Sequence, residues 1–167
     1  MSRMAKAITR FRQMPHHKYV DNPFNATSTI AQPASDAQVA AAWSGVSVPQ
    51  DVAALWLECK SARLFEDTDY GQWGLVLLSP LASARRTAEE RRSRPEDMRE
   101  GDVVIGEFLG DQDLLVVAPS QGTECRVLVA LPLDPRAEWY AVATDLESFL
   151  ERYFDAGGEK FWERRHP

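Results

Sequence analysis

The chain has 167 residues, 44% hydrophobic, with five Trp and seven Phe, enough for a real core in one domain plus a tail. No stretch approaches the roughly 20 apolar residues that cross a bilayer, and no apolar block follows the N-terminal bases as in a secretory leader, so a cytoplasmic protein is expected. The net charge is −6, yet residues 1–18 hold Arg3, Lys6, Arg10, Arg12 and Lys18 with no acid, leaving 14 bases against 25 acids and a body at −11. An acidic body repels nucleic acid and speeds encounter with basic partners, although solubility alone also explains it.

Residues 1–34 read as a separate basic arm, extended or partly disordered. They hold His16, His17, Pro15, Pro23 and Pro33, and the polar run Asn25 to Thr29, with little periodicity. The arm's bases could touch RNA, a membrane or the acidic body; a solvated tail is the expectation.

Residues 35–167 read as one domain. Ser35 and Asp36 can cap a helix over Ala37 to Trp43, ended by Gly45. Pro49 suits the first turn of a second helix, whose Val52, Leu55, Trp56 and Cys59 form one apolar stripe. Beyond Lys60 the period shortens. Arg63 to Phe65 can be a strand, Glu66 to Gly71 an acidic turn and Trp73 to Leu78 a strongly apolar strand closed by Pro80. Residues 81–100 carry six Arg against five acids and read as an exposed helix or loop insertion with internal ion pairs. Interleaved acids cancel most of the field that would attract nucleic acid.

Val103 to Phe108 and Leu114 to Ala118 flank a Gly-containing loop and read as a hairpin. Cys125 to Leu131, after Ser120-Gln121-Gly122, and Trp139 to Val142 read as two more strands. Asp145 can cap a helix carrying Leu146, Phe149, Leu150, Tyr153 and Phe154, stopped by Gly157-Gly158. Strands in succession need hairpins and not βαβ crossovers, so the class is α+β. The sheet should be largely antiparallel or mixed, with helices packed at the N- and C-terminal ends.

This order resembles the SUKH superfamily, which includes bacterial toxin-immunity proteins and a fungal cell-wall regulator. The resemblance spans residues 36–163. It rests on the helix before Val48-Pro49, on Ile105-Gly106 with Gly110-Asp111 and Leu114 to Val117, and on Trp139, Ser148-Phe149-Leu150, Gly157-Gly158 and Phe161-Trp162. Cys59 to Arg63 departs from the Asn-Gly-Gly-like turn that members often carry after the second helix, and residues 81–100 exceed what a compact member needs. The resemblance implies a partner-binding protein with no cofactor and no catalytic residues. The usual bacterial partners are toxins, many of them nucleases.

The residues themselves agree with a protein that performs no chemistry. His16, His17 and His166 lie near the termini, and there is no Gly-x-Ser-x-Gly. Cys59 and Cys125 read as reduced, mostly buried thiols, with no setting that would lower their pKa. Cys-x-x-Cys and the phosphate-binding glycine loops are missing. Asp67-x-Asp69 and Asp111-x-Asp113 start like calcium loops, but Gly71 and Leu115 stand where a third ligand belongs.

Two readings lead, ahead of an enzyme using carboxylate chemistry, which spacing leaves open, and of nucleic-acid binding through the basic arm. An immunity protein would occlude a cognate toxin, which is possibly basic and nuclease-like, as a monomer or weak homodimer without nucleic acid or membrane. A regulatory or scaffold adaptor would use the same fold without a toxin. The partner-binding residues are expected to be Glu66, Asp67, Asp69 and Tyr70 in the acidic turn and Glu107, Asp111 and Asp113 in the hairpin. Trp43 and Tyr70 are expected at partial exposure, and Trp56, Trp73 and Trp162 in the core.

Overall fold

A computed structural model describes residues 1–18, 25–119 and 126–164. In chain order the elements are α1 (Arg3–Gln13), β1 (His16–Lys18), β2 (Asn25–Ile30), α2 (Asp36–Ala42) and α3 (Gln50–Glu58). Then come β3 (Ala62–Asp67), β4 (Leu75–Leu77), α4 (Pro80–Ser93), β5 (Val103–Phe108), β6 (Leu114–Val117), β7 (Val127–Ala130), β8 (Tyr140–Ala143) and α5 (Leu146–Asp155). The eight strands form one sheet in sequence order, with every neighbouring pair antiparallel. The class is α+β, and the mixed alternative gives way to a fully antiparallel sheet.

Alternation along the strands sends successive side chains to opposite faces. Val103, Ile105, Leu115, Val117, Val127 and Val129 point into the main core with α1, α3 and α5. Val104, Leu114, Val116 and Ala130 point the other way, under Leu78, Met98 and Trp139. Strand β3 departs from this rule. Its register slips against β2 between Thr27 and Thr29, and Phe65 takes φ 50, so Leu64 and Phe65 are both buried in the main core. The Phe65 amide donates to Ser28 Oγ at 3.1 Å, which satisfies the group that the bulge takes out of the ladder.

Two expectations are corrected. The first is the arm: residues 3–13 form a helix capped by Ser2, with Met4, Ala7, Ile8 and Phe11 buried at 3.6-residue spacing. Phe11 meets Phe65 and Phe154 edge-on at 5.6 and 5.1 Å. Arg3 pairs with Asp145 and Glu151 at 3.3 and 3.0 Å, Arg10 with Asp155 at 2.6 Å, and Arg12 donates to Glu58 O at 2.9 Å. The basic segment therefore docks on the acidic body through α5 and α3, and β2 continues the sheet. Residues 3–13 and 25–30 belong to the same core as the rest.

The second, the charged segment, is corrected only in part: residues 80–93 form the expected, mostly exposed helix, but one face of it is packed. Helix α4 is capped by Ser79, opens with Pro80 and buries Ser83, Thr87 and Glu90. Ser83 Oγ donates to Val104 O at 2.5 Å and Thr87 Oγ1 accepts from Val104 N at 2.9 Å. These short hydroxyl side chains let the helix approach β5 closely and bond its backbone where the register shifts. The contact face is polar, so hydropathy conceals it. Arg86 does form the expected internal pairs, with Glu89 and Glu90 at 3.2 and 2.8 Å.

Smaller differences concern aromatics and thiols. Trp43 is buried against Trp56, not partly exposed as expected, whereas Tyr70 is 69% exposed. Trp56 lies in the core as expected; Trp73 and Trp162 are half-buried. Cys59 is free and fully buried, and burial pushes its thiol up to about 12, so it stays protonated and unreactive near neutrality. Cys125, Pro23, His166 and the Ser120-Gln121-Gly122 turn lie outside the described residues.

If α1 is part of the core, Phe11→Ala should cost about 3–5 kcal/mol through the cavity it leaves. Urea unfolding checks this; a midpoint equal to the parent's would return residues 1–13 to the status of a tail.

Candidate functional site

At one end of the sheet the β3–β4 and β5–β6 turns pack together. Asp67 shapes the first. Its buried carboxylate accepts from Asp69 N at 2.9 Å and Tyr70 N at 3.1 Å, while Gly71 N donates to Asp67 O at 3.0 Å. Asp69 accepts from Asn25 N at 3.2 Å. In the second turn Asp111 accepts from Asp113 N at 3.3 Å. Leu109 N donates to Gly74 O at 2.9 Å. Gly110 lies so close to the first turn that a Cβ there would fall 2.3 Å from Gln72 O. Only glycine permits that approach.

Lys160 joins this end after α5. Its side chain is 6% exposed, and its Nζ contacts Asp111 Oδ2, lies 3.3 Å from Asp113 Oδ2 and 3.9 Å from Glu163 Oε1. The rings of Trp73 and Phe108 stand 5.5 and 5.3 Å away. Trp73 Nε1 donates to Gly158 O at 3.1 Å, tying the segment after α5 to the first turn. Oxygens of Asp111, Asp113 and Glu163 come within 4.8 Å of one another, and the Lys160 ammonium is the cation that they share. Burial, reinforced by the Glu163 charge, pushes the Asp113 carboxyl up to about 6. Burial also draws the Lys160 ammonium below its ordinary value, against the pull of Glu163.

Of the expected binding residues, the structure brings Asp67, Asp69, Tyr70, Asp111 and Asp113 to this end. Asp69, Tyr70 and Asp111 are exposed; Asp67 and Asp113 are buried and hold the turns. Glu66 and Glu107 sit back on the strands, paired with Arg63 at 2.6 Å and Arg86 at 3.2 Å. Lys160 and Glu163 were not legible as site residues. Nothing in their spacing shows that the chain beyond α5 returns to the turns.

The opposite end of the sheet holds a cleft of about 700 Å³ walled by Ser47 to Asp51, Ala54, Pro119, Arg126 and Glu147. Asp51 is its keystone. The buried carboxylate receives Arg126 Nη1 and Nη2 at 3.3 and 3.2 Å and the backbone N–H of Leu146 at 2.9 Å. One side chain thereby ties α3 to β7 and to the first residue of α5. A second hollow of about 310 Å³ adjoins it, sharing Pro119 and Arg126. There Arg136 grips the fully buried Asp102 at 2.5 Å and, with Arg94, stands 5.3 Å from the Trp139 ring.

An antiparallel sheet closed by α3 and α5, with the Val48-Pro49 turn placing Asp51 at the helix–sheet junction, makes this an α+β domain. Residues 33–152 match the SMI1 / KNR4 family (SUKH-1), and the chain belongs to that family. Among proteins of curated function, none matches this sequence. Helix α1, strands β1 and β2, and the segment bearing Lys160 fall outside the matched span. Among the described residues no helix is long and apolar enough to cross a membrane.

Two outcomes are expected. Asp51→Ala strands Arg126 and an α5 amide, and should lower stability by about 3–5 kcal/mol; Asp51→Asn, which keeps the amide's acceptor, should lose less, as read from urea midpoints. Asp113 has a raised pKa in the folded chain, so its stabilising proton is fully bound below about 4 and lost as pH rises through about 6. The parent should therefore gain stability relative to Asp113→Asn as pH falls from 7 to 5; a constant difference would disprove the shift.

Proposed function

We propose that this SUKH-1 domain works without chemistry of its own, by gripping a basic protein through its acidic turn end, and that the partner is a bacterial toxin occluded by the contact. The observation that carries the reading is Tyr70, 69% exposed on a turn fixed by Asp67 and flanked by the exposed carboxylates of Asp69, Asp111 and Glu163. An aromatic on a rigid turn loses little side-chain freedom on binding, and such residues dominate interface energies. Carboxylates around it steer a cationic partner and reject acidic ones. Family membership supports a protein as the ligand, and the acidic body supports a basic one.

Within this reading the protein acts in the cytoplasm, as a monomer or weak homodimer, with no cofactor. Asp67 and Asp113 keep the turns in shape, and Glu66 and Glu107 add charge from the adjoining strands. A regulatory adaptor would use the same surface on a different protein. Gene neighbourhood separates the two readings, because an immunity protein is encoded beside its toxin.

The test is co-expression with the neighbouring gene product, scored by growth, followed by kinetics with the purified pair. Asp69→Lys should slow association at low salt by about tenfold, and Tyr70→Ala should speed dissociation by a similar factor. Asp69→Lys also gives up the hydrogen bond from Asn25 N, so unfolding midpoints are used to confirm that both variants are folded under the assay conditions. Unchanged kinetics in both variants would place the contact elsewhere; turnover of any substrate by the purified chain would end the binding-only reading.

A further inference from the structure

Three connections share the end of the sheet that carries Tyr70. The strands alternate in direction and follow sequence order, so the β3–β4, β5–β6 and β7–β8 connections emerge together, and residues 131–139 form the third. Leu133 on that connection is 95% exposed. Among the described residues Met1, Met14, Val46, Leu57 and Leu81 are also exposed, but they lie on or near helices α1 to α4. Tyr70 and Leu133 are the large apolar side chains that stand out from the connections of this end.

The Leu133 loop is fixed, like the first turn, by its backbone. Arg94 Nη1 donates to Leu131 O at 2.9 Å and its Nη2 to Asp134 O. Trp139 Nε1 donates to the same Asp134 oxygen at 3.1 Å, and Arg136 N donates to Asp97 Oδ1 at 3.0 Å. Pro132 and Pro135 restrict the chain on either side. Between the two anchors stands exposed Gln112, held at φ 67, a conformation that side chains other than glycine rarely adopt and that clusters at functional sites. Gln112 lines a hollow of about 280 Å³ with Pro132, the residue before Leu133. The β5–β6 turn therefore adjoins the third loop as well as the first, and the exposed side chains run in one row from Tyr70 through Asp111 and Gln112 to Leu133.

On the reading that the turn end grips a basic protein, on which this rests, we infer that Leu133 is the second apolar anchor of that face, and that the partner is a folded domain with two apolar sockets flanking a basic strip. A stable contact removes about 800 Å² from each partner, a patch about 30 Å across, and the Tyr70 turn alone covers a fraction of it. Strand spacings of about 4.8 Å put the first and third loops about 20 Å apart, within such a patch. A side chain exposed to 95% sits in no groove of its own chain, so the cavity that covers it belongs to the partner. Folded surfaces build such sockets, and a rigid loop enters one with little loss of freedom.

The probe is the folded product of the neighbouring gene, titrated against the full chain. Leu133→Ala should raise Kd about tenfold, mainly by speeding dissociation. Its effect should multiply with that of Tyr70→Ala, because the two anchors fill separate sockets. So exposed a side chain carries little of the fold, and circular dichroism and the unfolding midpoint of Leu133→Ala should match the parent's. Overlapping peptides covering the product's sequence should bind about a hundredfold more weakly than the folded product, since they lack preformed sockets. If Asp69→Lys and Tyr70→Ala weaken the complex while Leu133→Ala leaves it unchanged, or if one peptide binds as tightly as the folded product, the second anchor is overturned and the turn end stands. If Leu133→Ala weakens it and the turn variants do not, the turn-end reading falls, and the shared face with it. A parent chain that leaves the product unbound overturns both.

Discussion

The architecture hangs on a buried carboxylate. Asp51 receives two guanidinium nitrogens of Arg126 and the first amide of α5, so a helix, a strand and a second helix meet at one side chain. Each hydrogen bond to a charged group contributes more than a neutral one, and here they also set position. If Asp51 moves, α3 and α5 lose their common reference against the sheet. Both helices supply the main core, so the fit of Trp56, Phe149 and Tyr153 over β5, β6 and β7 depends on a polar contact made at its edge. The ion pair stabilises modestly and specifies strongly, because a buried charge excludes arrangements in which its partner is absent.

The same logic repeats at smaller scale. Asp67 holds the first turn by accepting two backbone amides, Asp102 holds the loop before β5 through Arg99 N at 2.7 Å and Arg136, and Asp145 caps α5 while receiving Arg3. Much of the negative charge therefore works inside the fold, and the part offered to solvent is smaller than the net charge suggests. At the turn end this sorting is clear. Buried Asp67 and Asp113 build the surface that exposed Asp69, Asp111 and Tyr70 present.

How far the sequence foretold this depended on which physical signal each element used. Alternating or continuous apolar runs marked β4 to β8, and the stripe of α5 was plain from Leu146, Phe149, Leu150 and Tyr153. Helix α1 carried an equally regular stripe in Met4, Ala7, Ile8 and Phe11, but Arg3, Lys6, Arg10 and Arg12 between them drew the reading toward an unpacked tail. Helix α4 could not be placed by hydropathy, because its contacts with Val104 are made by the hydroxyls of Ser83 and Thr87. The acidic turns were legible as turns; that they adjoin follows from the register of β3, β4 and β5, which no local pattern states. Lys160 was invisible for the same reason. Its ligands lie 47 and 49 residues earlier in the chain.

The pairing of α1 with α5 also bears on how the chain acquires its shape during synthesis. Arg3 and Glu151 are separated by 148 residues, so helix α1 cannot complete its packing until α5 follows it from the ribosome. Contacts so distant in sequence close late and slow the search for the native state. Until then Phe11 lacks its contact with Phe154, and part of the apolar stripe stays open to solvent, a nascent amphipathic segment of the kind that chaperones shelter.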